Sequence, residues 1–164
     1  MKKILFSLFL AIELLFSYNY SYGLTQEEIQ MNIYFAEQGN AKAQFNLGLM
    51  YSKGEGVKQS KTNAVKWYKK SAEQGFAAAQ YSLAIMYYRG EGIKQSKTDA
   101  AKWYKKAAKQ GFAAAQFNLA LMYYEGEGVR QNKSTAKEWF GKACDNGNDD
   151  GCNNYKILNE IGIR

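Results

Sequence analysis

Three blocks of the chain, Ala36–Ser71, Ala72–Ala107 and Ala108–Ala143, align with one another without a gap at a period of 36 residues. The first and second agree at 24 of 36 positions and the second and third at 22, so they are repeats of one unit and not chance look-alikes. Such a chain is confined to architectures in which one supersecondary unit stacks on copies of itself. A partial copy, Cys144–Arg164, follows the third block, and Leu24–Phe35 stands in the register of the second half of a preceding copy.

Each unit reads as two helices. In the first copy Ala43, Leu47, Met50 and Tyr51 fall at i, i+4, i+7 and i+8, one face of a helix over about 41–53. Gly54 ends it, because glycine adopts the left-handed conformation freely. Gly56 keeps the turn over 54–59 tight, with Val57 placed to tuck inward. Ser60 is expected to cap a second helix running to about Gln74, with Ala64, Trp67, Ser71 and Ala72 on one face and Gly75 as its stop. Ser96 and Asn132 are the matching caps, and Gly111 and Gly147 the matching stops. Thr25 with Glu28 three residues on reads as a capping box that opens a leading helix.

A hairpin this small cannot bury its apolar stripe alone, and stacked neighbours supply the missing core. The expected fold is therefore all-α, a right-handed α-solenoid of stacked helix-turn-helix repeats. Its divisions are a leading helix over 24–35, repeats over 36–71, 72–107 and 108–143, and a partial terminal repeat over 144–164. Ala78, Ala79, Ala114 and Ala115 permit close helix approach. Trp67, Trp103 and Trp139 recur once per period and read as filling the same gap in each layer, not as ligand contacts.

The residue inventory excludes much chemistry. Histidine is absent, which removes histidine bases, Ser-His and Cys-His nucleophile pairs and imidazole metal ligands. Two cysteines are too few for an all-cysteine zinc site, which takes four thiolates. The Gly-Glu-Gly turns at Gly54, Gly90 and Gly126 follow a helix, whereas a phosphate loop follows a strand, so they read as repeat punctuation. No cofactor, metal or catalytic residue is expected.

The first residues read as an address. Lys2 and Lys3 precede an apolar run from Ile4 to Phe16, interrupted by Glu13, and Ser21 and Gly23 supply small residues for cleavage. Residues 1–23 are expected to be a signal peptide. The rival is a retained anchor, for which the run is shorter than the ~20 residues a bilayer span requires. Cleavage would leave no membrane span and place the protein in the periplasm or outside the cell. The net charge of +7 would fall to +6 with loss of Lys2, Lys3 and Glu13.

The stretch AKAQFNLGLMYSKGEGVKQSKTNAVKWYKKSAEQG resembles the Sel-1-like repeat, a relative of the tetratricopeptide repeat. The resemblance covers about Ala36–Cys152. It implies an adaptor role in protein complexes, and for exported bacterial members a role in the envelope or at a host interface. Some cysteine-rich relatives are described as weak penicillin-binding β-lactamases. That makes Ser134-Thr135-Ala136-Lys137 a string to weigh, since it has the S-x-x-K form. Its register, in the first turn of a second helix, and the lack of an S-D-N or K-T-G string favour chance.

Cys144 and Cys152 stand where Ala108 and Gln116 stand one period earlier, across the turn at Gly147. In an exported chain this favours a structural disulfide; a reactive thiol pair is the alternative.

Two surfaces remain. Phe45 and Leu49, then Tyr81, Ile85 and Tyr88, then Phe117, Leu121 and Tyr124 lie on the side of the first helices opposite the Leu47 stripe, with Ser52 at the position of Tyr88 and Tyr124. They are either sandwiched between repeats or line a groove for a protein or peptide, with Gln44, Gln80 and Gln116 at its edge. The second helices present Lys66, Lys69, Lys70, Lys102, Lys105, Lys106 and Lys109, a solvated face or one for an anionic envelope component. Export and the lack of basic-aromatic loops argue against nucleic acid. The leading expectation is a non-enzymatic exported adaptor.

Overall fold

The structure, a computed structural model, describes residues 25–163; the expected signal peptide lies outside the described residues. They form eight helices and no strand: α1 Gln26–Glu37, α2 Ala41–Lys53, α3 Lys61–Glu73, α4 Ala77–Arg89, α5 Lys97–Lys109, α6 Ala113–Glu125, α7 Lys133–Asp145 and α8 Asp149–Glu160. Helices α2, α4, α6 and α8 are the first helices of the repeat, called A below, and α1, α3, α5 and α7 are the second, called B. Each packs on the next in chain order, so the described residues form an α-solenoid.

The helix ends follow the expected chemistry. Ser60, Ser96 and Asn132 are extended and accept hydrogen bonds from the backbone N–H of Asn63, Asp99 and Thr135. The capping box of Thr25 and Glu28 is complete. The first three A helices end on left-handed Gly54, Gly90 and Gly126, whose N–H groups donate to the carbonyls of Met50, Met86 and Met122. The second glycine of each turn has a further role. Gly92 and Gly128 have φ of 70° and 68°, and a Cβ on either would overlap the backbone of the preceding B helix, at Lys61–Thr62 and Lys97–Thr98. These glycines are where one repeat seats on another.

The core is layered. Leu47, Leu83 and Leu119 are fully buried at equivalent positions, each with a buried methionine three residues on. The large buried ring of the B helices is not the tryptophan, as expected, but its neighbour: Tyr68, Tyr104 and Phe140 are 3%, 4% and 1% exposed. Trp67, Trp103 and Trp139 are half-buried at the rim, with the ammonium groups of Lys70, Lys106 and Lys142 4.2, 4.0 and 4.4 Å above the rings. The lysine three residues on turns the exposed indole face into a cation–π contact.

The glutamines expected at a groove edge are instead buried in the seam between repeats. Gln44, Gln80 and Gln116 donate from Nε2 to the carbonyls of Ala36, Ala72 and Ala108, eight residues back. Their Oε1 atoms accept from Gln74, Gln110 and Asn146 of the next B helix. Burying an amide is costly unless both ends are paired, and here both are.

At the fourth seam the hydrogen bond is replaced by a covalent one. Cys144 and Cys152 occupy the positions of Ala108 and Gln116 and form a disulfide, with Cα atoms 4.5 Å apart. Gly151 stands where Ala43, Ala79 and Ala115 stand, and a Cβ there would lie 2.9 Å from that of Ala143, so glycine allows α8 this close to α7. Replacing both cysteines by serine should cost about 2–3 kcal/mol through the lost loop constraint. Cys144→Ala with Cys152→Gln, which restores the pattern of the other seams, should recover about 1 kcal/mol of that. Thermal melts of the two variants beside the oxidised chain check this, and equal melting of all three would refute it.

Candidate functional site

The face shared by α4 and α6 holds an indentation of about 460 Å³ lined by Tyr81, Ile85, Tyr88, Arg89, Tyr104, Asn118, Leu121, Met122, Glu125 and Glu127. Helix periodicity places Tyr81, Ile85 and Tyr88 along one side of α4. Tyr104 of α5 closes the floor, its ring 5.8 Å from that of Tyr81, and burial pushes its hydroxyl pKa up. Asn118 and Leu121 enter from α6.

One rim is a clasp between repeats. Tyr88 Oη donates to Glu127 Oε2 at 2.6 Å, and Lys97 Nζ donates to Glu127 Oε1. The two donors hold the Glu127 carboxyl below its ordinary range. The same carboxylate raises Lys97 and Tyr88, chiefly through those hydrogen bonds. Glu127 is thus ionised and committed, and Lys61 and Glu91 make the matching pair one repeat earlier at 3.2 Å. Arg89 and Glu125 are the exposed charges at this rim.

The eight aromatic and aliphatic residues anticipated for a groove are all half-buried. Tyr81, Ile85, Tyr88 and Leu121 come together in the indentation. Phe45 lies elsewhere, with its ring 5.8 Å from Tyr68 and 5.3 Å from Phe76, and Leu49 packs on the same cluster. Phe117 lies 5.6 Å from Phe140, and Phe117, Leu121 and Tyr124 pack on the last cluster. The rings of Phe45, Tyr81 and Phe117 therefore pack on the B helix of their own repeat, on Tyr68, Tyr104 and Phe140, with one side left open to solvent. Tyr104, Asn118, Met122, Arg89, Glu125 and Glu127 were missed. For Glu127 a signal exists: it stands 30 residues after Lys97, the offset that also joins Gln74 to Gln44.

Ser134 and Lys137 border a different indentation, of about 540 Å³, at the last helix pair. Both are half-buried. The Lys137 ammonium donates to the Ile163 carbonyl at 2.6 Å, which occupies the group a serine nucleophile would need as its base. Among the described residues no cluster of metal-ligating side chains occurs, and no helix is long and apolar enough to cross a membrane.

The Sel1 repeat family model matches three times, over residues 41–76, 77–112 and 113–148, together well over half of the chain. The chain belongs to the Sel1 repeat family. Each Sel1 match begins at the first residue of an A helix, five residues after the block boundaries chosen from self-alignment.

Solved structures agree. The chain is 37% identical to a Sel1 repeat protein from Oxalobacter formigenes, with a TM-score of 0.72, covering 74% of this chain and 50% of that one. It is 39% identical to c5321, a protective antigen present in uropathogenic Escherichia coli strains and displaying the same fold, with a TM-score of 0.80, over 82% of this chain and 29% of that one. Helicobacter pylori cysteine rich protein B shares the fold at 24% identity and a TM-score of 0.63, over 78% of this chain and 92% of that one. The chain thus spans half or less of the length of the first two. No curated protein matches it. The Sel1 repeat fold suggests a protein-interaction scaffold, and the disulfide is compatible with an oxidising compartment.

Proposed function

We propose that this Sel1 repeat protein is an exported, non-enzymatic adaptor that binds a protein or peptide segment in the indentation between α4 and α6, in the periplasm or outside the cell. The supporting observation is the composition of that indentation. Tyrosine and aliphatic side chains supply contact area at low conformational cost, and Asn118, Arg89 and Glu125 supply polar and charged groups for orientation. An extended segment laid there would meet an apolar floor flanked by charges of both signs.

The test is a photo-crosslinking residue at Leu121 in cells that make the protein. A discrete cross-linked polypeptide is expected from Leu121 and not from Lys105 on the outer face. Tyr81→Ala with Ile85→Ala should weaken binding of that partner by about 1–3 kcal/mol, the range for truncated interface anchors. Cross-linking from Lys105 alone would move the binding face to the B helices. Nitrocefin turnover that is lost on Ser134→Ala would replace the adaptor reading with the hydrolase one.

A further inference from the structure

The chain's positive charge is gathered on two neighbouring B helices. α3 carries four lysines against one glutamate, and α5 five lysines against one aspartate. Lys69 and Lys102 pair with Glu73 and Asp99 of their own helices, and Lys61 and Lys97 with Glu91 and Glu127 of the following repeat. Lys66, Lys70, Lys105, Lys106 and Lys109 are exposed and enter no ion pair among the described residues. Lys66 and Lys70, Lys102 and Lys106, and Lys105 and Lys109 stand four apart, where like charges destabilise a helix. The fold gains nothing from this crowding of ammonium groups, which favours a ligand that neutralises it.

The chain has three tryptophans, and all stand at the edge of the B-helix face. Trp103 packs on the core cluster of α3 and α4 and also on the central one, and Trp139 bridges the central cluster and the last. Each indole is half-buried, with a lysine ammonium 4.0 to 4.4 Å above its ring. A cation–π contact at an exposed site is weak, so the lysine is free to swing from the ring to an anion. The unit that recurs from one repeat to the next is therefore a flat apolar ring with a mobile cation beside it.

We infer that the face of α3 and α5 binds a linear acidic polysaccharide, a chain of uronate sugars. A uronate unit carries both halves of the match, an apolar C–H face to lie on an indole and a carboxylate at the ring edge for an ammonium group. Other polyanions match one half. An anionic bilayer needs apolar side chains to insert, and none of the large exposed apolar residues lies on α3 or α5. A phosphate backbone is matched best by the arginine fork, and neither helix contains an arginine. An acidic polypeptide brings carboxylates without a flat apolar ring. The inference rests on this face alone and is independent of the indentation between α4 and α6.

Polygalacturonate, a linear polyuronate, is the probe, and its methyl ester is the uncharged form of the same backbone. With the protein purified in the form the cell makes, polygalacturonate should bind, more weakly as salt is added, and the ester should not bind. Because every tryptophan lies at this face, acrylamide quenching of their emission reads the site. Bound polygalacturonate should shield the indoles, and polyglutamate of equal charge should leave them open. Lys70→Glu with Lys106→Glu should weaken polygalacturonate binding roughly 10–100-fold. Lys42→Glu with Lys156→Glu makes the same change in net charge on other helices and should shift binding by about 2-fold at most. These side chains are all exposed, so melting temperatures should stay near that of the parent, and Lys66→Glu with Lys105→Glu replaces the first pair if it melts early. Absence of binding, indoles still open to acrylamide in the complex, or equal losses from the two lysine pairs would overturn the inference. So would tighter binding of polyglutamate, oligothymidylate or phosphatidylglycerol vesicles.

Discussion

Gly92→Ala should destabilise the protein by about 4 kcal/mol or more, whereas Gly75→Ala should cost only about 1–2 kcal/mol. Both glycines have positive φ, 70° and 94°, so both substitutions carry the strain of a left-handed L-residue. The difference lies in the surroundings. A Cβ at Gly75 meets nothing within 4 Å, but at Gly92 it overlaps the carbonyl of Lys61 and comes within 2.7 Å of the Thr62 nitrogen. Backbone cannot rotate out of the way as a flexible side chain can, so the second repeat must lift off the first. That also stretches the pair of Lys61 and Glu91. Stability in a stacked array is a sum of units and nearest-neighbour interfaces, so a weakened interface should broaden the thermal transition as well as lower it. Melting of the two variants beside the parent protein decides the matter, and equal melting temperatures would refute the seating role of Gly92.

Tyr104→Ala should cost about 3–5 kcal/mol and Trp103→Ala roughly half as much, although tryptophan is the larger side chain. Tyr104 is 4% exposed, packed in the central cluster and against the ring of Tyr81, and its removal leaves a cavity between α4, α5 and α6. Trp103 sits at the rim with one face under Lys106, so water and the lysine stem can fill part of the space it leaves. Urea titrations give both numbers on one scale. A greater loss at Trp103 would mean that the tryptophans anchor the layers after all. Because Tyr104 also floors the indentation on the α4–α6 face, its loss should affect folding and partner binding together. Tyr81 and Ile85 are half-buried on the same cluster, so their loss should cost less folding stability than that of Tyr104.

Much of this architecture was legible in the residues. A period of 36, an apolar stripe at helical spacing, glycine stops and Ser or Asn caps are local signals, because a helix and its ends are determined by residues within a few positions of one another. The helix bounds at Ala41–Lys53 and the caps at Ser60, Ser96 and Asn132 follow from them. The cysteine pair was legible for a related reason: a separation of eight spans one helical turnaround, and the register alone put both side chains at one seam.

What the sequence left open was decided between units. Periodicity puts Tyr68 and Trp67 on adjacent flanks of one helix but does not say which flank meets the next repeat. Gln44, Gln80 and Gln116 look like surface residues until the carbonyl eight positions back and the amide thirty positions on are brought beside them. The Tyr88, Lys97 and Glu127 clasp likewise exists only once two repeats are stacked. By itself, the sequence determined the helices, their order and the unit that repeats, since these depend on local backbone preference and on burial of one stripe. Only the tertiary structure decided which of two apolar flanks is core, which polar groups are paired, and which glycine carries a neighbouring backbone. Those outcomes depend on the angle and separation at which one hairpin rests on the next, which local signals do not encode.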